Sequence, residues 1–310
     1  MSARPLKVLI SNDDGPPCHE ESPFILPFIE HLESLGWDVK VCLPDSQKSW
    51  ISKSFMIKEH VEMSYYHRET GERSYHRQAP YDIVLLSATP ATCINIALHH
   101  IFKDEQFDLV IGGPNFGRNS ANIYTLSSGT IGAALEAVMS QKKAIALSFA
   151  FFSRDFAKNK IECACQMASN VIQHLYQKDM WPAHGLFNVN VPLVDELRPV
   201  RLTHFHTTSY GSLFRPLKDK MISDAATTSD ASGEMVEQSV RSEAEGHEPG
   251  KTIFHFAPDI KSMSHPADPD SNTDAWALQN RYVSVTPMVA AYQIANMDKD
   301  YELDSLHAKI

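Results

Sequence analysis

Short apolar runs alternate with helical-period stretches along the first two hundred residues, and this alternation constrains the fold more than any other feature. Residues 6–10 are apolar and end in the polar, turn-forming Ser11-Asn12-Asp13-Asp14-Gly15. Ser22-Pro23 reads as an N-cap and first helical position. Phe24, Phe28, Leu32 and Leu35 then recur at helical spacing until Gly36. Further strands are expected at 37–43, 83–86, 107–111, 144–148 and 186–191, and helices at 90–100, 130–140 and 155–177. This order implies right-handed crossovers and an α/β fold, a Rossmann-like, mostly parallel sheet sandwiched by helices. In such sheets ligands bind beyond the C-terminal ends of the strands.

The last third differs. Strand signals continue at 202–207, 252–256 and 282–286 while crossover helices fade, giving a β-rich C-terminal extension. Residues 219–250 are rich in Ser, Thr, Ala, Asp and Glu and read as a mobile surface insertion. The expected organisation is one domain over 4–310, with an α/β catalytic core at 4–198 and an assembly segment at 199–310. The formal charge of −10 argues against a nucleic-acid-coating role, and no apolar run is long enough to span a membrane. The five cysteines lack framework spacing and residues 1–5 lack a signal-peptide character, so a cytoplasmic setting is expected.

Three polar loops follow three of the strands. In the first, Asp13 and Asp14 repel each other unless a cation lies between them, and a hard divalent ion suits such oxygen donors. A solvated Asp-Asp-Gly turn is the plain alternative. The second, 44–54, supplies hydroxyls together with Lys48 and Lys53. The third, 112–119, is rich in Gly and Asn, and Ser128-Gly129-Thr130 after it opens a helix as a natural anion cradle. His204-x-His206 reads as a polar strand face, since no further ligand accompanies it. No Gly-x-Gly-x-x-Gly or Walker loop is present.

Six ordered motifs carry a resemblance: 9–15, the Ser49 loop, 88–93, 113–119, 128–136 and 188–192. The sequence resembles the SurE family of metal-dependent nucleotidases and acid phosphatases, and most closely its fungal members. Tyr282-Val283-Ser284-Val285-Thr286-Pro287 resembles the family's late strand, so the resemblance spans nearly the whole chain. It implies a SurE-like three-layer fold and hydrolysis of phosphomonoesters, most simply nucleoside monophosphates. It further implies one divalent ion, Mg²⁺ or Mn²⁺, held by Asp13, Asp14, Ser49 and Asn115. Asn119, Ser128, Gly129 and Thr130 would bind the phosphoryl oxygens, with Asp13, Asp14 and Asn119 as the catalytic groups. A homodimer with C-terminal exchange is implied as well. A broad-specificity acid phosphatase and a catalytically weak binding or scaffold module are the alternatives.

Departures from the bacterial pattern concentrate at the pocket mouth. Trp50 stands where glycine usually follows the ligand serine. Gly112-Gly113-Pro114 replaces Ser-Gly-Ile, and Pro16-Pro17-Cys18-His19 replaces an Ala-Pro-Gly loop. The acidic net charge is awkward for phosphate handling, so Lys48, Lys53 and Arg118 are expected to make the pocket locally positive.

Overall fold

The computed structural model describes residues 5–216, 252–258 and 270–292. The insertion expected at 219–250 and the chain end after 292 lie outside the described residues. In chain order the elements are β1 (Lys7–Ser11), α1 (Ile25–Ser34), β2 (Asp38–Pro44), β3 (Met63–Tyr66), β4 (Arg73–Ser74) and β5 (Ile83–Leu86). Next come α2 (Pro90–Ile96) with a π-helical turn (Ala97–Ile101), β6 (Leu109–Phe116), α3 (Ala121–Ser127), α4 (Gly129–Met139) and β7 (Ala144–Ala150). The rest are α5 (Lys158–Lys178), β8 (Gly185–Pro192), β9 (Val200–Leu202), β10 (Phe214–Pro216), β11 (Phe254–Phe256), α6 (Asp274–Gln279) and β12 (Val283–Val289).

Ten strands form one sheet in the order β4-β3-β5-β2-β1-β6-β7-β8-β12-β9. From β5 to β8 all neighbours are parallel. β12 returns antiparallel to β8, so the C-terminal strands extend the main sheet. Among the described residues, only β10 and β11 pair apart from it. Successive residues of β1 serve opposite faces: Val8 and Ile10 join the core with α1 and α5, whereas Leu9 joins the core with α2 and α4. Fully buried parallel strands with both faces covered explain the continuous apolar runs. The chain runs outward from β1 to β2 and β5 on one side, and from β6 to β7 and β8 on the other. The crevice at the C-terminal ends of β1 and β6 is therefore the topological switch point.

Several expectations need correction. The first helix begins at Ile25 with Phe24 as its N-cap, not at Ser22-Pro23. β6 continues through Gly112-Gly113-Pro114 to Phe116, where a polar loop was expected, with a register shift between Gly112 and Asn115. A bulge absorbs the residues that cannot hold an ordinary ladder. β9 ends at Leu202, so His204 and His206 lie in irregular backbone rather than on a strand face. β3, β4, α3 and α6 were not expected; they are too short to show a period.

The β3–β4 edge is pinned by a buried polar chain. His67 Nδ1 lies 2.9 Å from Asp82 Oδ2 and its Nε2 lies 2.8 Å from Ser74 Oγ. The same carboxylate accepts the N–H groups of Gln78 at 2.7 Å and Ala79 at 2.8 Å. Ser74 also donates to the His76 carbonyl at 2.8 Å, so its hydroxyl closes a turn and is not poised as a nucleophile. Burial pushes the Asp82 carboxyl up, but these hydrogen bonds outweigh it and hold it below the usual carboxylate range. A depressed folded value means that the contribution to stability is complete above about pH 4 and is lost as pH falls through the folded value. Asp82→Asn is expected to cost about 1–3 kcal/mol near pH 6. The gap in urea midpoint should narrow below about pH 4; a gap constant from pH 6 to pH 3 would contradict this.

Candidate active site

The loop after β1 is a rigid turn. Asn12 Nδ2 donates to the Gly15 carbonyl and its Oδ1 accepts the Gly15 N–H, both at 3.0 Å. Gly15 holds φ +85°, and a Cβ there would lie 3.0 Å from the Ser46 carbonyl carbon. The Ser22 hydroxyl donates to the same Gly15 carbonyl at 3.0 Å. That bond explains why Ser22 is not the helix cap. The turn presents Asp13 and Asp14 side by side, both buried.

The two carboxylates are held differently. Burial raises the Asp13 pKa more than its hydrogen bonds lower it. Those bonds come from the Thr130 hydroxyl and from the backbone N–H groups of Thr130, Asp13 and Gly129. The positive end of α4 is thus aimed at the Asp13 carboxylate. Asp14 Oδ2 accepts the Phe116 N–H at 2.7 Å. Burial first, then the charge of Asp13, pushes Asp14 well above the ordinary range. The Phe116 ring is fixed among Phe24, Phe151 and Phe156, with centroids 4.8–5.4 Å away, which holds that N–H in position.

The other expected residues converge unevenly. Ser49 and Asn115 line the same cavity of about 720 Å³ as the two aspartates, together with Asn119 and Ser128. Gly129 and Thr130 instead contact Asp13, so the anion cradle at the start of α4 is largely filled by a carboxylate of the chain itself. Ser128 caps α4 by accepting the Ile131 N–H at 3.2 Å. Asn119 is anchored on every side. Its N–H donates to Asn190 Oδ1 at 2.8 Å, its carbonyl accepts Asn188 Nδ2 at 2.7 Å, and its Nδ2 donates to Ser148 Oγ at 3.0 Å. The supporting roles of Ser148, Asn188 and Asn190 were not foreseen, although polar residues in otherwise apolar strands were a visible signal.

Electrostatics reverse one expectation. The Lys53 ammonium lies 2.7 Å from Glu136, and Lys48 Nζ reaches Ser46 Oγ at 3.0 Å. Neither lysine is among the cavity-lining residues, which include Arg118 together with Asp13, Asp14 and Glu21. Three acidic groups against one basic group leave the lining without the local positive charge expected from the sequence. Among the described residues no three His, Cys, Asp or Glu side chains form a metal cluster. The donor set that fits a hard divalent ion is therefore the oxygen-only one: two desolvated carboxylates with the Ser49 hydroxyl and the Asn115 amide oxygen. Among the described residues, no basic side chain is among the groups that shift either aspartate.

The cavity also has an apolar lining. Trp50, Tyr124, Leu213, Phe214 and Phe256 form it. Trp50 has φ +60°, in the left-handed region that costs a non-glycine residue roughly 1–2 kcal/mol. Tyr124 belongs to α3, whose start is fastened by Asp274 of α6. Asp274 Oδ2 accepts the Ala121 N–H at 2.7 Å, and its Oδ1 accepts the His206 N–H at 2.8 Å. The C-terminal segment thus braces a wall of the cavity, a role with no signal in the sequence.

Comparison with known proteins now adds to this geometry. The profile of the family described as "Survival protein SurE" matches residues 8–212. A "Probable tubulin--tyrosine ligase PBY1" of Saccharomyces cerevisiae is 31% identical over 94% of this chain and 42% of its own length. The chain therefore spans less than half of that relative. A "5'-nucleotidase SurE" of Actinobacillus pleuropneumoniae is 27% identical over 97% of this chain and 98% of its own. The crystal structure of a SurE protein from Aquifex aeolicus has the same fold, with a TM-score of 0.64, 23% identity and 96% of each chain covered.

Proposed function

This chain belongs to the SurE family, and from that premise we propose that it is a divalent-metal-dependent phosphomonoesterase that hydrolyses nucleoside monophosphates to nucleoside and phosphate. One observation carries the proposal: adjacent buried carboxylates, Asp13 and Asp14, share an acidic cavity with Ser49, Asn115, Asn119 and Ser128. Such a lining admits a phosphate ester only when a cation accompanies it. The nucleotidase name of the Actinobacillus relative supports the substrate class.

In this proposal Asp13, Asp14, Ser49 and Asn115 hold one Mg²⁺ or Mn²⁺ ion. When bound, the ion neutralises the carboxylates and polarises the phosphoryl group. Asn119 and Ser128 hydrogen-bond the phosphoryl oxygens as charge develops on them. Gly129 and Thr130, proposed from the sequence as phosphate ligands, hydrogen-bond Asp13, and in this proposal they orient that carboxylate. Arg118 supplies the remaining positive charge in the cavity.

A panel of nucleoside monophosphates, sugar phosphates and p-nitrophenyl phosphate tests this, each with Mg²⁺, Mn²⁺, Co²⁺ or Zn²⁺, before and after chelation. Turnover that disappears on chelation and returns with Mg²⁺ or Mn²⁺ is expected, with nucleotides preferred. Equal rates across the panel would replace nucleotidase by broad-specificity acid phosphatase. Inertness with every metal would favour the binding-module alternative, which Trp50 and the altered pocket mouth motivate.

We further propose that the chain is one domain whose segment after residue 199 serves homodimer assembly by C-terminal exchange. A monomer in sedimentation at micromolar concentration would overturn that part. All five cysteines are free thiols and no described helix is long and apolar enough to cross a membrane, which supports placement in the cytoplasm.

A further inference from the structure

We propose that Trp50, with the rings packed against it, forms a stacking wall that selects phosphomonoesters carrying a planar aromatic group, above all a nucleobase. The proposal rests on the phosphatase reading of the cavity and names what that cavity recognises beyond phosphate. The cavity's lining combines polar groups, Asp13, Asp14 and Asn119, with the rings of Trp50, Phe256 and Phe214. A volume of about 720 Å³ falls within the range that holds a whole small ligand rather than a phosphate alone.

The wall is built of rings that remain available for stacking. The Trp50 centroid lies 5.1 Å from that of Phe256 and 5.9 Å from that of Tyr124, each inclined at 66°. Phe214 meets Phe256 at 5.6 Å and 72°. None of these contacts is a parallel stack: each is edge-to-face, so it covers a face of only one ring of the pair. Rings placed purely for packing belong in the core, yet Trp50 is half-buried and Phe214 is 54% exposed.

Backbone geometry points the same way. Trp50 keeps φ +60°, a conformation in which glycine is the unstrained residue. A bulky side chain held in strain beside catalytic groups indicates a function for that side chain. The indole follows directly on Ser49, a proposed ion ligand, and both residues line the cavity, so the ring lies beside the site proposed for the phosphoryl group. Flat rings of every kind have a π-face, so the wall favours aromatic leaving groups without reading base identity by hydrogen bonds.

The test compares wild type, Trp50→Gly and Trp50→Phe on AMP, p-nitrophenyl phosphate and glycerol 2-phosphate. Glycine suits the local φ, so Trp50→Gly removes the ring while relieving strain. The ratio of kcat/KM for AMP over glycerol 2-phosphate is expected to fall at least tenfold in Trp50→Gly, chiefly through KM, and to recover substantially in Trp50→Phe. p-Nitrophenyl phosphate should move in the same direction by less, which separates nucleoside recognition from a preference for any aryl ester. Adenosine, which lacks phosphate, should quench indole emission in the wild type and not in Trp50→Phe. An unchanged ratio in Trp50→Gly would overturn the stacking wall while leaving phosphatase activity established. If no phosphomonoester is hydrolysed by any of the three, the phosphatase reading fails, and the adenosine titration alone upholds or overturns the wall.

Discussion

Asp14→Asn is expected to remove divalent-dependent phosphatase activity by about a thousandfold or more, while the chelated protein melts at a higher temperature than the wild type. The two effects share one cause. Asp14 is buried beside Asp13, and burial followed by that neighbour's charge pushes its carboxyl well above the ordinary range. The metal-free protein therefore bears the cost of holding a carboxylate where water cannot solvate it. An amide of the same shape keeps an oxygen for the Phe116 N–H and removes the charge. Relief of even about 1 kcal/mol shifts a melting midpoint by roughly 2–4 °C. Charge stabilisation by a bound ion is worth several kcal/mol in the transition state, and about 4 kcal/mol is a thousandfold in rate. Calorimetry with EDTA or Mn²⁺ reads both sides: Mn²⁺ should raise the wild-type midpoint and leave the variant unmoved. Full activity in the variant, or an undiminished Mn²⁺ shift, would sink the assignment.

What could be read from sequence followed from local chemistry. The parallel core was visible because a strand buried on both faces must be largely apolar, as 83–86 and 144–150 are. The aspartate pair was visible because two carboxylates at a strand end are costly without a purpose. What was not legible came from partners distant in sequence. Lys53 looked like a pocket cation until Glu136, on the far side of several elements, claimed it. Thr130 looked like a phosphate ligand because it starts a helix, yet its hydroxyl goes to a residue 117 positions earlier. Gly112-Gly113-Pro114 looked like a loop because those residues break ladders, but a bulge keeps the strand in the sheet and brings Asn115 to the cavity. Asp274 gave no local signal: its three backbone partners are defined only by the folded C-terminal segment.

Gly129→Ala is expected to lower kcat by about a hundredfold with little loss of global stability, because this glycine sets where Asp13 sits. As the first residue of an 11-residue helix, it would ordinarily tolerate alanine, the better helix former. Here a Cβ would lie 2.8 Å from the Asp13 Cβ and 2.9 Å from Ile51 Cγ2. The Asp13 Cβ is fixed to a turn that Asn12 and Ser22 hold closed, so it cannot swing aside as a side-chain tip would. The helix start must retreat, taking with it the Thr130 hydroxyl and the N–H groups that orient the carboxylate. Displacement of a catalytic group by about 1 Å costs on the order of a hundredfold in rate. Helix propensity favours alanine by up to about 1 kcal/mol, partly offsetting the strain, so the melting midpoint should move by only a few degrees. Wild-type kcat in this variant would show that the α4 start does not position Asp13. A collapse in thermal stability would show instead that the close approach serves folding more than chemistry.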